Sequence, residues 1–288
     1  MTAFWRAAPV VFLLLWSGGY GFAKLGLEYA EPMTLLALRY SLAVAVLLPL
    51  ALMMRPHWPK GAGHWTAVAV TGFLIQGVYF GLAYLAMKQG MNAGTTAIIM
   101  ALQPALVATL APLIGGKRGG RLLWLGLGIG FCGVLLAVVS EGSLGPSPLG
   151  AALLAVGALV GITGATLFEK AHGRKTDPVA GGLVQYAVGF TLIAPVAIAT
   201  ESLTVDWQPG LIVALAWLVL GNSLISISLY IAMIARGDVT RISALMYLVP
   251  PLAMAMAWVL LGEQLQPLAL VGLALSAIGV YIVTRQTK

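Results

Sequence analysis

Polar residues interrupt this chain at intervals, and between them lie long apolar runs, each closed by a short cluster of Pro, Gly or charged residues. Runs of roughly twenty apolar residues match the ~30 Å hydrocarbon core of a bilayer. Read between those stops, the pattern predicts ten helices, near residues 7–27, 32–54, 65–88, 92–115, 121–140, 147–169, 178–200, 209–235, 239–262 and 267–284. The connections leave no room for a soluble domain. The runs are continuous rather than alternating, which argues against a membrane β-barrel. The first run has no small-residue cleavage site and is read as a retained span, not a signal peptide.

Shifted by 146 residues, the chain matches itself without a gap. Gly18, Lys24, Pro32 and Tyr40 fall on Gly164, Lys170, Pro178 and Tyr186, and Pro49 falls on Pro195. Tyr84-Leu85-Ala86-Met87 meets Tyr230-Ile231-Ala232-Met233, and Gly116, Gly126 and Gly133 meet Gly262, Gly272 and Gly279. The expected organisation is a duplication, residues 1–142 and 143–288, with five spans in each copy. Because five is odd, the second copy enters the membrane from the opposite side. The expected fold is an all-α polytopic membrane protein of ten transmembrane helices in two inverted five-helix repeats. Such a plan points towards a transporter.

Charge adds an orientation. Thirteen of the sixteen Lys and Arg residues fall on the face that holds both termini, which predicts cytoplasmic termini. Lys24 and Lys88 lie on the other face, and Arg39 lies about two turns inside the second helix. The repeat partners Lys24 and Lys170 thus fall on opposite faces, as inversion requires. The net charge of +7 sits in short loops, so it is read as a topology determinant and no nucleic-acid partner is expected. Apolar residues make up 60% and charged residues 9%, which excludes an ordinary soluble domain. The single cysteine, Cys132, lies in an apolar run and is read as a small packing residue.

Polar groups inside spans need a protein or water partner. The third helix carries Gln76, Tyr79, Phe80 and Tyr84, and its repeat partner carries Asn222, Ser223, Ser226 and Tyr230. Gln76 aligns with Asn222, so an amide stands at one depth in each half. A central cavity in which these amides hold a polar ligand head is one reading; interhelical hydrogen bonding is the other. Trp16 and Tyr20, four apart, offer an aromatic face beside Gly18 and Gly19. Met100 and Gln103 in the fourth helix, with Met246 and Tyr247 in the ninth, complete the candidate substrate-binding set.

Pro104, Pro250 and Pro251 are expected to bend those two helices and serve as gating hinges, or as static kinks. The capped start of the fourth helix, Asn92 to Thr96, is a candidate site for an anionic ligand group. Arg39 is expected to snorkel outward and pair with Glu28 or Glu31. Trp5, Trp58, Trp65, Trp207 and Trp217 are read as interface residues. Gly126 and Gly130 form a GxxxG face, and helices five and ten are expected to pack on each other or on a second subunit.

No Asp or Glu falls mid-span, and His57, His64 and His172 lie in loops. A carboxylate-based proton or cation relay is therefore not expected. No metal spacing, nucleophile triad or cofactor motif is present in the sequence, so neither catalysis nor a cofactor is expected.

The opening Trp16-Ser17-Gly18-Gly19 with Lys24, Pro32 and Arg39 resembles the start of an EamA domain of the drug/metabolite transporter superfamily. Gln103-Pro104, and Pro250 followed by Leu261-Gly262-Glu263, resemble the end of its fourth helix. The first copy departs there, with Gly116-Lys117 where the family usually has Gly-Glu. The whole chain is also similar to YddG-type exporters of aromatic and other amino acids. The resemblance implies an inner-membrane exporter of amino acids or similar small metabolites, working by alternating access as a monomer or homodimer in the lipid bilayer. Multidrug efflux is the alternative within transport; a non-transporting receptor or membrane enzyme is the alternative outside it.

Overall fold

Proline sets the beginnings of many helices here. The computed structural model describes residues 3–110, 112, 120–140, 148–172, 176–226, 229 and 248–286. Its helices are α1 (Ala3–Gly26), α2 (Pro32–Met54), α3 (Ala62–Lys88), α4 (Ala93–Met100), α5 (Gln103–Leu110), α6 (Arg121–Ser140), α7 (Pro148–His172), α8 (Pro178–Thr200), α9 (Pro209–Ser226), α10 (Val249–Leu261) and α11 (Pro267–Gln286). Five of them open on Pro, where the missing N–H would have had no intrahelical acceptor anyway. Asp177 caps α8 by accepting from the backbone N–H of Val179 at 2.9 Å, and Gly262 ends α10 in the left-handed region at φ 67°.

The chain is an all-α polytopic membrane protein. Ala7–Gly26, Pro32–Met54, Ala62–Lys88, Leu149–His172, Pro178–Thr200 and Pro209–Ser226 are long and apolar enough to cross a membrane. Four shorter apolar helices, Ala93–Val107, Trp124–Ala137, Val249–Leu261 and Pro267–Ile282, fall within the other four predicted positions. The outer surface is apolar: Met53, Val259 and Leu149 are each 70% or more exposed, a surface suited to lipid rather than water. Cys132 belongs to that outer face, exposed on α6 rather than packed.

Four pairings help organise the interior: α2 lies along α8, α6 along α11, and α1 against both α9 and α10. The α6–α11 seam is closest. A side-chain carbon on Gly133 would stand 2.5 Å from the carbonyl of Gly272, and one on Gly279 would meet the backbone of Gly130. Ser276 Oγ donates across the seam to the carbonyl of Gly130 at 3.3 Å. The glycine faces expected in helices five and ten therefore pack on each other within the chain.

α2 and α8 are also tied end to end. The Glu201 carboxylate, just past α8, accepts from the backbone N–H groups of Met33 and Thr34 at 2.8 and 2.7 Å and from Thr34 Oγ1 at 2.7 Å. Those N–H groups are orphan donors of the first turn of α2, so an acid from a distant helix supplies its cap. Glu31 accepts in return from the backbone N–H of Ser202 at 2.8 Å.

Candidate functional site

α3 and α9 each contain a π-helical stretch, Phe73–Tyr79 and Trp217–Ser226. The wider turn displaces backbone carbonyls from their usual donors, and such turns concentrate at functional sites. Gln76 and Asn222, the aligned amides, lie in these two stretches. Tyr40 Oη donates to the Gln76 carbonyl oxygen at 2.7 Å, holding the π turn of α3 against α2.

Arg39, from α2, occupies the centre of the cluster and is 1% exposed. Its Nη1 donates to Tyr84 Oη at 3.1 Å; its Nη2 donates to Asn222 Oδ1 at 3.0 Å and to Ser223 Oγ at 3.1 Å. The guanidinium carbon stands 4.3 Å from the centroid of the Phe80 ring, a cation–π contact. Its Nε–H is buried without a partner, as are Gln76 Oε1, Ser226 Oγ and Ser17 Oγ. Among the described residues the ion pair formed is Lys24 with Glu263, so Arg39 faces no carboxylate.

The expectation that Arg39 snorkels to Glu28 or Glu31 is thus overturned. The side chain turns inward, where two aromatic rings and two polar side chains receive it, and Glu31 is engaged with Ser202. The signal lay in the 76, 80, 84 spacing of polar and aromatic groups, which marks a lined face at Arg39's depth.

The remaining candidates divide. Asn222 also donates through Nδ2 to the Leu15 and Trp16 carbonyls at 3.4 and 3.5 Å, linking α9 to α1. Tyr20 and Tyr79 share a hydroxyl contact of 3.3 Å, and Phe80 packs against Tyr79 with ring centroids 4.5 Å apart. Trp16 is half-buried in a separate apolar cluster with Phe12. Met100 is buried in the core cluster that also holds Tyr79. Gln103 is engaged elsewhere, its Nε2 donating to Thr166 Oγ1 at 2.8 Å. Tyr230, Met246 and Tyr247 lie outside the described residues. Trp217, expected at the interface, stacks on Phe22 with centroids 4.3 Å apart and donates to the Leu15 carbonyl at 3.2 Å.

Pro104 and Pro250 do not stand in mid-helix. α4 stops at Met100, a turn follows at Ala101 and Leu102, and α5 restarts at Gln103 with Pro104 second. Pro250 and Pro251 are in the first turn of α10. Pro104 thus follows a break, and Pro250 and Pro251 stand in a first turn, positions where a missing N–H costs little.

The proposed anion site at the start of α4 is filled by the protein itself. Glu263 Oε1 accepts from the Ala93 backbone N–H at 3.2 Å and pairs with Lys24 Nζ at 2.8 Å. Lys24 also donates to the Met91 carbonyl at 2.9 Å and to Asn92 Oδ1 at 3.0 Å. On the same face, Lys88 Nζ donates to the Leu27 carbonyl at 3.1 Å.

The model of the EamA-like transporter family matches this chain twice, over residues 6–139 and 149–285. The chain belongs to the EamA-like transporter family. This EamA-like transporter is 29% identical over 225 residues to the Escherichia coli K12 protein named "Uncharacterized inner membrane transporter YedA", covering 77% of this chain and 71% of that one. It is 24% identical over 242 residues to an uncharacterized transporter of Archaeoglobus fulgidus, 82% of each chain. A solved crystal structure shares its fold over 96% of each chain, with a TM-score of 0.64 at 17% identity. The protein is a membrane transporter of this family, and the likeness to YddG-type exporters rests on the sequence reading alone.

Proposed function

We propose that this transporter exports amino acids and related small metabolites across the inner membrane by alternating access between residues 1–142 and 143–288. The observation that carries this reading is the buried cluster of Arg39, Tyr84, Asn222, Ser223 and Phe80, contributed by α2, α3 and α9. A charged group inside a span is costly, and such groups mark substrate or ion pathways. Ten spans in two inverted halves, with cytoplasmic termini, are the topology we assign. It is supported by the recurrence of π turns in α3 and α9 and by the contacts that gather Lys24, Lys88 and Glu263 on one face. That face is drawn shut around Lys24, which leaves the opposite face as the route by which a substrate would enter. The drive is the substrate gradient, with no carboxylate relay.

The test is exit of labelled amino acids from loaded proteoliposomes, with and without an imposed proton gradient. Exit down the substrate gradient alone is expected. Gln76→Ala and Asn222→Ala, correctly inserted, should each lower the rate about tenfold or more: the first removes an acceptor left open to a substrate, the second a hydrogen bond to the Arg39 charge. Parent-like rates in both variants would refute the site.

A further inference from the structure

We infer that the substrate carries a carboxylate and that Arg39 is its receptor group; this rests on reading the Arg39 cluster as the transport site. A guanidinium is always charged and has five N–H donors in a planar fork. Three of Arg39's are used, one by Tyr84, one by Asn222 and one by Ser223, and all three partners are neutral. The Nε–H is buried with no acceptor, in a chain with no acid near the middle of any predicted span. Burying an arginine without a counter-charge is costly. An incoming carboxylate removes that cost, and an organic cation increases it.

The geometry specifies how the anion docks. Nε–H lies parallel to one N–H of Nη2, and that edge of the fork grips both oxygens of a carboxylate. Taking it displaces Asn222 or Ser223 from Nη2, since both of that nitrogen's hydrogens are engaged. Binding therefore exchanges a contact between α2 and α9 for one between α2 and substrate. The Phe80 ring beneath the guanidinium keeps its plane fixed. Gln76 Oε1, four residues before Phe80, is a buried acceptor without a partner; it suits the ammonium of a zwitterion. Carboxylates are thus favoured over cationic drugs as a class.

Matched probes test this on the unmodified protein: phenylalanine, leucine and methionine, the corresponding amino-acid amides, the amines left by removal of the carboxylate, and a cationic dye. Two readouts run in parallel, exit from proteoliposomes and stabilisation of the purified protein against heat. At least one acid should be carried and should stabilise, with its amide and amine weaker by about tenfold or more. Arg39→Gln should abolish the acid's stabilising effect, and Arg39→Lys should restore part of it. If Arg39→Gln does not insert, the acid-against-amide comparison on the parent decides alone. Equal behaviour of acid and amide, or preference for amine or dye, overturns the inference while leaving transport intact. Arg39-dependent stabilisation by an acid that is never carried keeps the inference and refutes the transport reading. No effect of any probe in either readout overturns both.

Discussion

Two buried hydroxyls meet opposite fates in this interior. Tyr40 Oη supplies the donor that the π turn of α3 needs at Gln76. Thr163 Oγ1 is buried with no partner at all. Removing one member of a buried hydrogen bond strands the other, whereas removing a hydroxyl that bonds nothing takes away only its desolvation cost. Tyr40→Phe should therefore cost about 1–3 kcal/mol, seen as a lower melting temperature of the purified protein. Thr163→Val should melt at or slightly above the parent. Arg39 follows the same accounting, scaled up by its charge. Its inward turn was signalled only by the 76, 80, 84 spacing on another helix, and the nearness of Glu28 and Glu31 along the chain pointed to a pair instead, although the fold engages Glu31 with Ser202.

At the level of helices, the glycine seam was the most legible feature and the π turns the least. Gly126, Gly130 and Gly133 recur at a spacing that puts them on one face, and a bare face implies close approach. Gly279→Ala should thus be destabilising by about 2 kcal/mol or more, since the added carbon meets backbone that has nowhere to move. Gly128→Ala, off the seam face between Gly126 and Gly130 and with open space beside it, should be neutral or gain up to about 1 kcal/mol from helix propensity. Thermal unfolding of the two variants side by side checks the contrast. Nothing in the residues 73–79 or 217–226 announces a π turn, and the Tyr40 bond that meets the first of them comes from another helix. The prolines were legible as breakers but not as helix starts. Ala101 and Leu102, where the helix breaks, are themselves apolar and favour helix, so the break is not marked at its own residues. The Glu201 cap was also beyond reach, joining residues 167 and 168 apart in the chain.

For the whole molecule, the Lys24–Glu263 pair joins the ends of α1, α4 and α10 on one face. In the alternating-access cycle proposed above, that junction opens once per turnover. Lys24→Glu and Glu263→Lys should each slow exit from proteoliposomes severalfold, and the double exchange should recover part of the rate, as coupling between paired charges predicts. Additive losses in the double variant would remove the junction from the cycle. The lipid-facing exterior has a practical corollary. Cys132 is the only thiol in the chain, and it lies exposed in the middle of α6, on the surface that faces hydrocarbon. Charged thiol reagents do not partition to that depth. The natural protein is therefore already a silent background for reporter cysteines introduced one at a time into its interior, so the opening and closing of each face can be followed without first removing a native residue.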